Sequence, residues 1–465
     1  MRRVRTFCSL CVLLALMIVG VSTFGQTFKV LHRFGKKPVD GMNPTYPGII
    51  AQGRDGNLYG TTPEGSGNGG TVFKVTTAGR AKVLYEFQDP YVHPLGGLTL
   101  ATDGNLYGAL DGYPDNGTAT AVYKVTESGK VQVVSELDTE GLWEAQASPI
   151  QGWDGPLYGN TLGGGDDGQG GVYKLTLSGK LTVLYSFSYP FFQYEQGPLM
   201  QGPGGDLYGT AEGGGTYGYG AVFKITRKGE PFLLYSFDLT HGAYPYAPLV
   251  EGVDGDFYGT TAGGGLHGFG TVFNVTPQGQ LTVLHSFRLQ ENSEPYGGLV
   301  LASDGNFYGT SSAYFIGNGI IFRISPEGDY KVVHYFNGLD GAVPEVTLTQ
   351  HTNGILYGDT LGGGYNGCDL YEVEGCGVFY SLDLGLPPFA GLNPRAGRVG
   401  KKTGILGQGF TGATAVSFNG TAASYSVESD TFLEAVVPSG ATSGLVTVTS
   451  PSGTLTSKQQ FIVLP

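Results

Sequence analysis

Apolar and polar residues alternate along most of this chain in short runs, and glycine-rich turns break the runs at close intervals. Residues 271–276, Thr-Val-Phe-Asn-Val-Thr, and 281–287, Leu-Thr-Val-Leu-His-Ser-Phe, show the pattern. Both have period two, are rich in β-branched and aromatic side chains, and are too short for a helix that could bury a face. Turn signals at Asp254-Gly255 and at Pro277-Gln278-Gly279 flank such runs. The spacing predicts four strands over 247–251, 257–261, 271–276 and 281–287.

This unit recurs. The phrase Asp55-Gly-Asn-Leu-Tyr-Gly60 returns at 103–108, 154–159, 204–209, 254–259, 304–309 and 353–358, with its tyrosine at 59, 107, 158, 208, 258, 308 and 357. Steps of 48 to 51 residues, with four strands in each, fit the blade of a kelch-sized β-propeller better than a shorter-period solenoid. The two ends of the array complement each other. Residues 27–34 read as a fourth strand with no first three before it, and the seventh copy runs from its third strand at 377–382 into Leu386-Pro387-Pro388 with no fourth. The expected fold is therefore all-β: a seven-bladed propeller over residues 26–385 whose ring the N-terminal strand closes.

Several tempting signals reduce to architecture. The repeated Tyr and Gly follow a tight turn in one register, which predicts packing and turn geometry rather than a sevenfold binding ring. His32, His285 and His334 share a register with Tyr85, Tyr185 and Tyr235, and a position that accepts either residue packs; it does not ligate metal. The Gly-Gly-Gly runs at 163–165, 213–215 and 263–265 lead into strands, so they lack the helix N-terminus that a phosphate loop uses.

Composition changes the picture at the N-terminus. Arg2, Arg3 and Arg5 precede an apolar run from Phe7 to Val21, and the small residues Thr23 and Gly25 suit cleavage before Gln26, so residues 1–25 read as a secretory signal peptide. No second apolar stretch follows, and no transmembrane anchor is expected in the mature chain. Without the signal, 23 Lys and Arg face 39 Asp and Glu, a net charge of −16 that makes nucleic acid an unsuitable partner. Of the four cysteines only Cys368 and Cys376 remain, and in an oxidising compartment they are expected to form one disulfide. Glycine, about 17% of the 465 residues against roughly 7% in an average protein, follows from the many tight reversals.

After Pro388 the period stops, and residues 389–465 read as short alternating strands of a small β-sandwich. This part carries five Lys and Arg against three acids, so it is weakly positive beside a strongly acidic repeat array. Leu392-Asn-Pro394, Gly407-Gln-Gly-Phe410, Val416-Ser-Phe-Asn-Gly420 and Val437-Pro-Ser-Gly-Ala-Thr-Ser-Gly444 resemble the IPT/TIG immunoglobulin-like domain, which implies an Ig-like module over 386–465 acting as an exported spacer or ligand-presenting unit. The repeats, with Leu-Tyr-Gly, a Gly-rich loop and Val72-Phe-Lys-Val-Thr76, resemble the GloVer tandem repeat of bacterial exported proteins over about residues 45–385. That resemblance implies no established activity.

In every copy the first-to-second and third-to-fourth connections are short and the other two are long, so the long connections are expected on one face. They carry aromatic and acidic residues, among them His93, Glu144, Asp166 and Tyr244. The candidate ligand-binding residues are Tyr113, Trp143, Phe191, Phe192, Tyr217, Tyr219, His241 and His267, because rigid aromatic platforms beside polar groups suit stacking on sugars or gripping a peptide. No catalytic residue, metal site or cofactor is assigned, since no His-x-x-x-His, Gly-x-Ser-x-Gly or calcium-loop spacing occurs. The expected function is an exported, secreted or periplasmic, monomeric binding protein for a polysaccharide or cell-surface polymer. A protein-interaction scaffold that binds another exported protein, and a glycan lyase or hydrolase, are the alternatives.

Overall fold

The computed structural model describes residues 26–35, 41–44, 48–65, 69–89, 91–111, 119–188, 192–193, 197–291, 294–312, 317–365, 368–370 and 373–465. The signal segment read at 1–25 lies outside them. Seven four-stranded antiparallel sheets occupy the described part of residues 27–383, which makes this an all-β, propeller-like repeat architecture. Repeat five is representative, with strands Val250–Glu251, Phe257–Thr261, Thr271–Val275 and Leu281–Ser286 hydrogen-bonded in chain order. Its first strand is shorter than the pattern suggests. Pro248 has no N–H to give a ladder, and the Ala247 carbonyl instead accepts the Thr210 hydroxyl of repeat four at 2.9 Å.

Each letter of the repeated phrase has a structural task. Asp55 accepts the Asn57 backbone N–H at 3.0 Å and the Tyr59 hydroxyl at 2.8 Å, so one carboxylate caps the turn and anchors the tyrosine that follows it. Tyr107, Tyr158, Tyr258 and Tyr308 donate in the same way to Asp103, Asp154, Asp254 and Asp304. Burial works to raise the Asp55 carboxyl, but the Lys74 ammonium and the hydrogen bonds from Asn57 and Tyr59 outweigh it and hold the pKa below its usual value. The last glycine of the phrase makes room for a ring. A Cβ on Gly60 would stand 2.6 Å from Phe73, its cross-strand partner.

The two faces of each sheet serve different neighbours. The phrase tyrosine packs forward: Tyr59 meets Leu106 and Tyr123 of repeat two, and Tyr107 meets Leu157 and Tyr173 of repeat three. The aromatic residue of the third strand packs backward, as Phe223, Phe273 and Phe322 do on the preceding repeats. Seven such apolar clusters form, and one of them joins the last repeat to the first through Tyr357, Phe379, Phe34, Leu58 and Phe73.

The N-terminal strand Thr27–Arg33 pairs antiparallel with Val378–Asp383 of the seventh repeat, where the other sheets carry their own fourth strand. It also carries their bulge. Leu31 is skipped in its ladder just as Leu84 and Leu234 are skipped in theirs, and the three carbonyls lie against Gly79, Gly129 and Gly279 in the next turn. The Cys368–Cys376 disulfide forms, with Cα atoms 4.9 Å apart, and its sulfur leaves no room for a Cβ on Gly35 at the end of that strand.

Residues 391–464 form a second module of two four-stranded sheets, with Lys402–Leu406 and Phe432–Val436 in one and Ala415–Phe418 and Val446–Ser450 in the other. Ile405, Phe418, Leu433, Val446, Val448 and Phe461 fill the space between them.

Phe28 in the N-terminal strand stacks on His334 at 3.8 Å and on Tyr380 at 5.1 Å, so this strand bridges the sixth and seventh repeats. Removing residues 27–33 is expected to expose the edge strand Val378–Asp383 and to give self-association in size-exclusion chromatography together with a lower melting temperature. A monomer with unchanged melting would contradict this packing.

Candidate functional site

The long connections meet on one side of the array. The chain entering repeat three pairs through Leu142–Trp143 with Gly163–Gly164 from the second-to-third loop of that same repeat, and Phe192–Gln193 pairs with Gly213–Gly214 in repeat four. The residue after this bridge adopts a left-handed backbone in four repeats: Asn43 at φ 54°, Glu144 at 60°, Tyr244 at 57° and Val343 at 54°. Non-glycine residues rarely adopt this conformation, and here it recurs on one face. It turns each entering segment toward the first strand. First strands of successive repeats approach one another, as Ala51–Gln52 and Thr99–Leu100 do, so they line the middle of the array.

Five of the candidate residues have described side chains, and each has its own local partners or exposure. Trp143 is half-buried and lies across Gly163, where a Cβ would stand 2.1 Å from its indole nitrogen; this close approach accounts for that glycine. Tyr217 is 60% exposed, while Tyr219 is half-buried edge-on to Tyr244 at 6.2 Å. His241 is tied to Asp238, with Nδ1 2.9 Å from Oδ1. Burial works upward on that carboxyl, but the His241 backbone N–H and ring hold it below its usual range. His267 is exposed and accepts the Arg288 Nε–H at 3.3 Å. Phe192 is described only in its backbone, and Tyr113 and Phe191 lie outside the described residues.

Another cluster, absent from the candidate set, stands where the entering segments reach the first strands. The Tyr246 hydroxyl donates to Glu212 Oε1 at 2.8 Å, and its ring leans against Tyr296 at 5.1 Å. Burial pushes the Tyr296 phenol up to about 12, and the charges of Glu294, Glu345 and Glu212 add to the effect. The signal for this cluster was an offset: Tyr246 and Tyr296 both stand five positions before the end of a first strand. Across the array, burial raises the Asp111 carboxyl to about 6, with the nearby Glu144 adding and His93 opposing. Asp111 is only 3% exposed, and Glu144 is itself raised by burial.

The opposite side, where the short turns lie, is occupied by the C-terminal module. Four repeats end their first strand in glutamine, and each glutamine oxygen accepts a backbone N–H from the preceding turn: Gln151 from Thr102, Gln201 from Trp153, Gln350 from Ser303 and Gln52 from Thr352, at 2.7 to 2.9 Å. Repeats two, five and six carry Leu100, Glu251 and Leu301 instead. The backbone carbonyls of these three receive Asn393, Gln459 and Lys458 of the C-terminal module at 3.0, 3.1 and 2.9 Å. Arg395 pairs with the Glu251 carboxylate. Lys458 is half-buried in this junction. Its pKa is pulled down to about 7 by desolvation, although the Leu301 carbonyl, the Gln350 amide oxygen and the Phe389 ring all face its protonated form.

With the fold and both faces described, the class is an all-β tandem-repeat protein. Residues 144–371 match the Gloeobacter/Verrucomicrobia repeat family, and the same period extends to Tyr59 and Tyr107 before that stretch. No curated protein matches the chain. Among solved structures it is similar to a luciferin-regenerating enzyme at 13% identity and TM-score 0.41, covering 79% of this chain and 98% of that one. It is also similar to Kuenenia stuttgartiensis hydrazine synthase, at 14% identity and TM-score 0.47 over 69% and 93% of the two chains. A third is XC5397 from Xanthomonas campestris, described as a gluconolactonase, at 12% identity and TM-score 0.39 over 78% and 91%. No described helix is long and apolar enough to cross a membrane, and the described residues hold no group of three or more metal-ligating side chains.

Asp359 supplies a test of the packing. It is fully buried with Oδ1 unpartnered, at a register where other repeats carry Thr61, Asn160, Thr210 and Thr260, and desolvation raises its pKa to about 8. A folded-state pKa above the unfolded value of 3.8 imposes no penalty at low pH and a growing one as pH rises toward 8. Asp359→Thr is therefore expected to raise the free energy of unfolding, little at pH 4 and by on the order of a few kcal/mol at pH 8, measured by denaturant unfolding at the two pH values. Equal effects at both pH values would show that the carboxyl ionises freely in the folded protein.

Proposed function

We propose that this protein is an exported binding protein, a closed seven-bladed β-propeller capped by an Ig-like module of the IPT/TIG type, which holds a polysaccharide or cell-surface polymer on its long-loop face. Several features support the ring. The cluster of Phe34, Phe73, Tyr357 and Phe379 and the Gln52 to Thr352 hydrogen bond repeat, between the last and first repeats, the contacts made between successive ones, and a parallel bridge joins Ile49 to Thr347. The two-sheet arrangement around Phe418 and Phe461 supports the Ig-like reading of the module.

The observation that carries the binding reading is the asymmetry of the two faces. The short-turn face is covered by the chain's own C-terminal module. The long-loop face presents Tyr246 and Tyr296 beside Glu212, with Tyr217 exposed on an outer loop. Phenol faces and carboxylates are the usual means of holding a neutral sugar, one by stacking and the other by accepting hydroxyl hydrogen bonds. The acidity of this face favours a neutral polymer over an anionic one and gives nucleic acid no foothold. Export rests on the signal pattern in residues 1–25. A second reading, a scaffold for another exported protein, is favoured by aliphatic side chains at the loop tips, Leu266 at 80% and Leu339 at 73% exposure.

An array of bacterial and plant polysaccharides probed with the mature protein tests the choice. The proposal expects retention on at least one neutral glycan, with affinity reduced about tenfold or more in Tyr246→Ala/Tyr296→Ala. Binding that is unaffected by this pair but lost in Leu266→Ser/Leu339→Ser, with protein rather than glycan captured, would favour the scaffold.

A further inference from the structure

All five basic residues of the C-terminal module lie on the side that faces the repeats. Lys458 is half-buried in the junction, and Arg395 spans Glu251 and the Trp153 ring, 5.6 Å from its centroid. The remaining three, Arg398, Lys401 and Lys402, line a cleft of about 520 Å³ between the module and repeats two to four. Trp153 and Arg227 line it from the repeat side, together with the glycine turns Gly155 and Gly204–Gly205. Beside Gly155 and Gly204 the space is open, with no atom within 4 Å of where a Cβ would stand.

The charge in this cleft is uncompensated. Asp154, the acid on its wall, already binds Lys174 at 2.8 Å and the Tyr158 hydroxyl, and Glu434 is held by Lys402 at 2.6 Å. Among the described residues Arg227, Arg398 and Lys401 make no ion pair. Three exposed cations without an ion pair on one cleft that Trp153 also lines, in a protein whose mature net charge is −16, are not explained by docking, which uses Arg395, Lys458, Asn393 and Gln459. Nor do they belong to the tyrosine cluster, which lies on the opposite face.

We infer that this cleft is a second binding site, for a short acidic saccharide bearing carboxylate or sulfate groups. The guanidinium groups of Arg227 and Arg398 offer planar donor pairs for an oxyanion. The Trp153 edge and the Gly204–Gly205 backbone leave a low apolar wall for a sugar face. The volume suits two or three sugar residues, within the range of roughly 300–1,000 Å³ for small-ligand sites. The site exists only while the module is docked, because its two walls come from different parts of the chain.

Titration calorimetry on the mature chain at low salt tests this, with trigalacturonate and a chondroitin sulfate tetrasaccharide as acidic probes and maltotriose and inorganic phosphate as controls. At least one acidic probe is expected to bind, with affinity falling as salt rises; binding of trigalacturonate shows that carboxylates suffice, and binding of the sulfated probe alone, which carries carboxylates too, shows that sulfate is required. Arg398→Ser/Lys401→Ser, whose side chains are exposed and form no ion pair, is expected to lose at least tenfold in affinity with unchanged melting. Tyr246→Ala/Tyr296→Ala is expected to bind the acidic probe as the unmodified chain does, which keeps this result separate from the fate of the long-loop site. Three results would each overturn the inference: no binding of either acidic probe, equal binding of maltotriose, or full affinity in the Arg398/Lys401 variant. Phosphate binding as tightly as the saccharides would reduce the cleft to a site for a lone anion and overturn its assignment to a sugar.

Discussion

Everything in the repeat array depends on one packing constraint: a four-stranded sheet with two apolar faces cannot bury either of them alone. The phrase tyrosine covers one face only when the next repeat supplies its third-strand ring, and that ring fits because a glycine stands opposite it, as Gly60 does for Phe73 and Gly309 for Phe322. Each repeat is thus both host and guest. The same third-strand ring also meets the fourth-strand phenylalanine of the preceding repeat edge-on, as Tyr123 meets Phe87 and Phe273 meets Phe237, and each such pair contributes about 0.5–1.5 kcal/mol beyond its buried area. An open row would leave Tyr357 without a guest and Phe73 without a host. The proposed ring removes both vacancies, using the N-terminal strand to complete the last sheet.

Much of this was legible in the sequence because it is periodic. Seven copies of one phrase, strands with period two and a lone fourth strand at the N-terminus all report local rules that hold wherever they occur. The cysteine pair was legible for a different reason, as only two thiols remain after residue 25. The docking of the C-terminal module was not, because it is written in exceptions. Leu100, Glu251 and Leu301 look like ordinary drift until the structure shows Asn393, Gln459 and Lys458 at their carbonyls. The candidate site was legible as a face but not as residues. Trp143 stood out by its size, yet its ring is laid on Gly163, whereas Tyr246 and Tyr296 were inconspicuous among 29 tyrosines and come together only through the register of the first strands.

The two faces also differ in charge, and this gives them different chemistry. Glu212, Glu294 and Glu345 surround the tyrosines on the long-loop side. Arg227, Arg398 and Lys401 line the cleft behind. The docked module fixes the geometry between the two. Lys458 holds the module to the repeats through the Leu301 carbonyl and the Gln350 amide oxygen, and desolvation there lowers its pKa.

The central claim is that the seven repeats form a closed ring in which no repeat is terminal. Native-state hydrogen exchange tests it directly, by comparing amides in the third strands of all seven repeats and in Thr27–Arg33. The ring predicts that Thr71–Val75 and Val378–Asp383 exchange through the same global opening as the central strands, and that Thr27–Arg33 is protected to the same degree as Leu281–Ser286. Protection that is highest in repeats three to five and falls away toward the first and seventh would be the signature of a linear array with fraying ends, and would contradict the account.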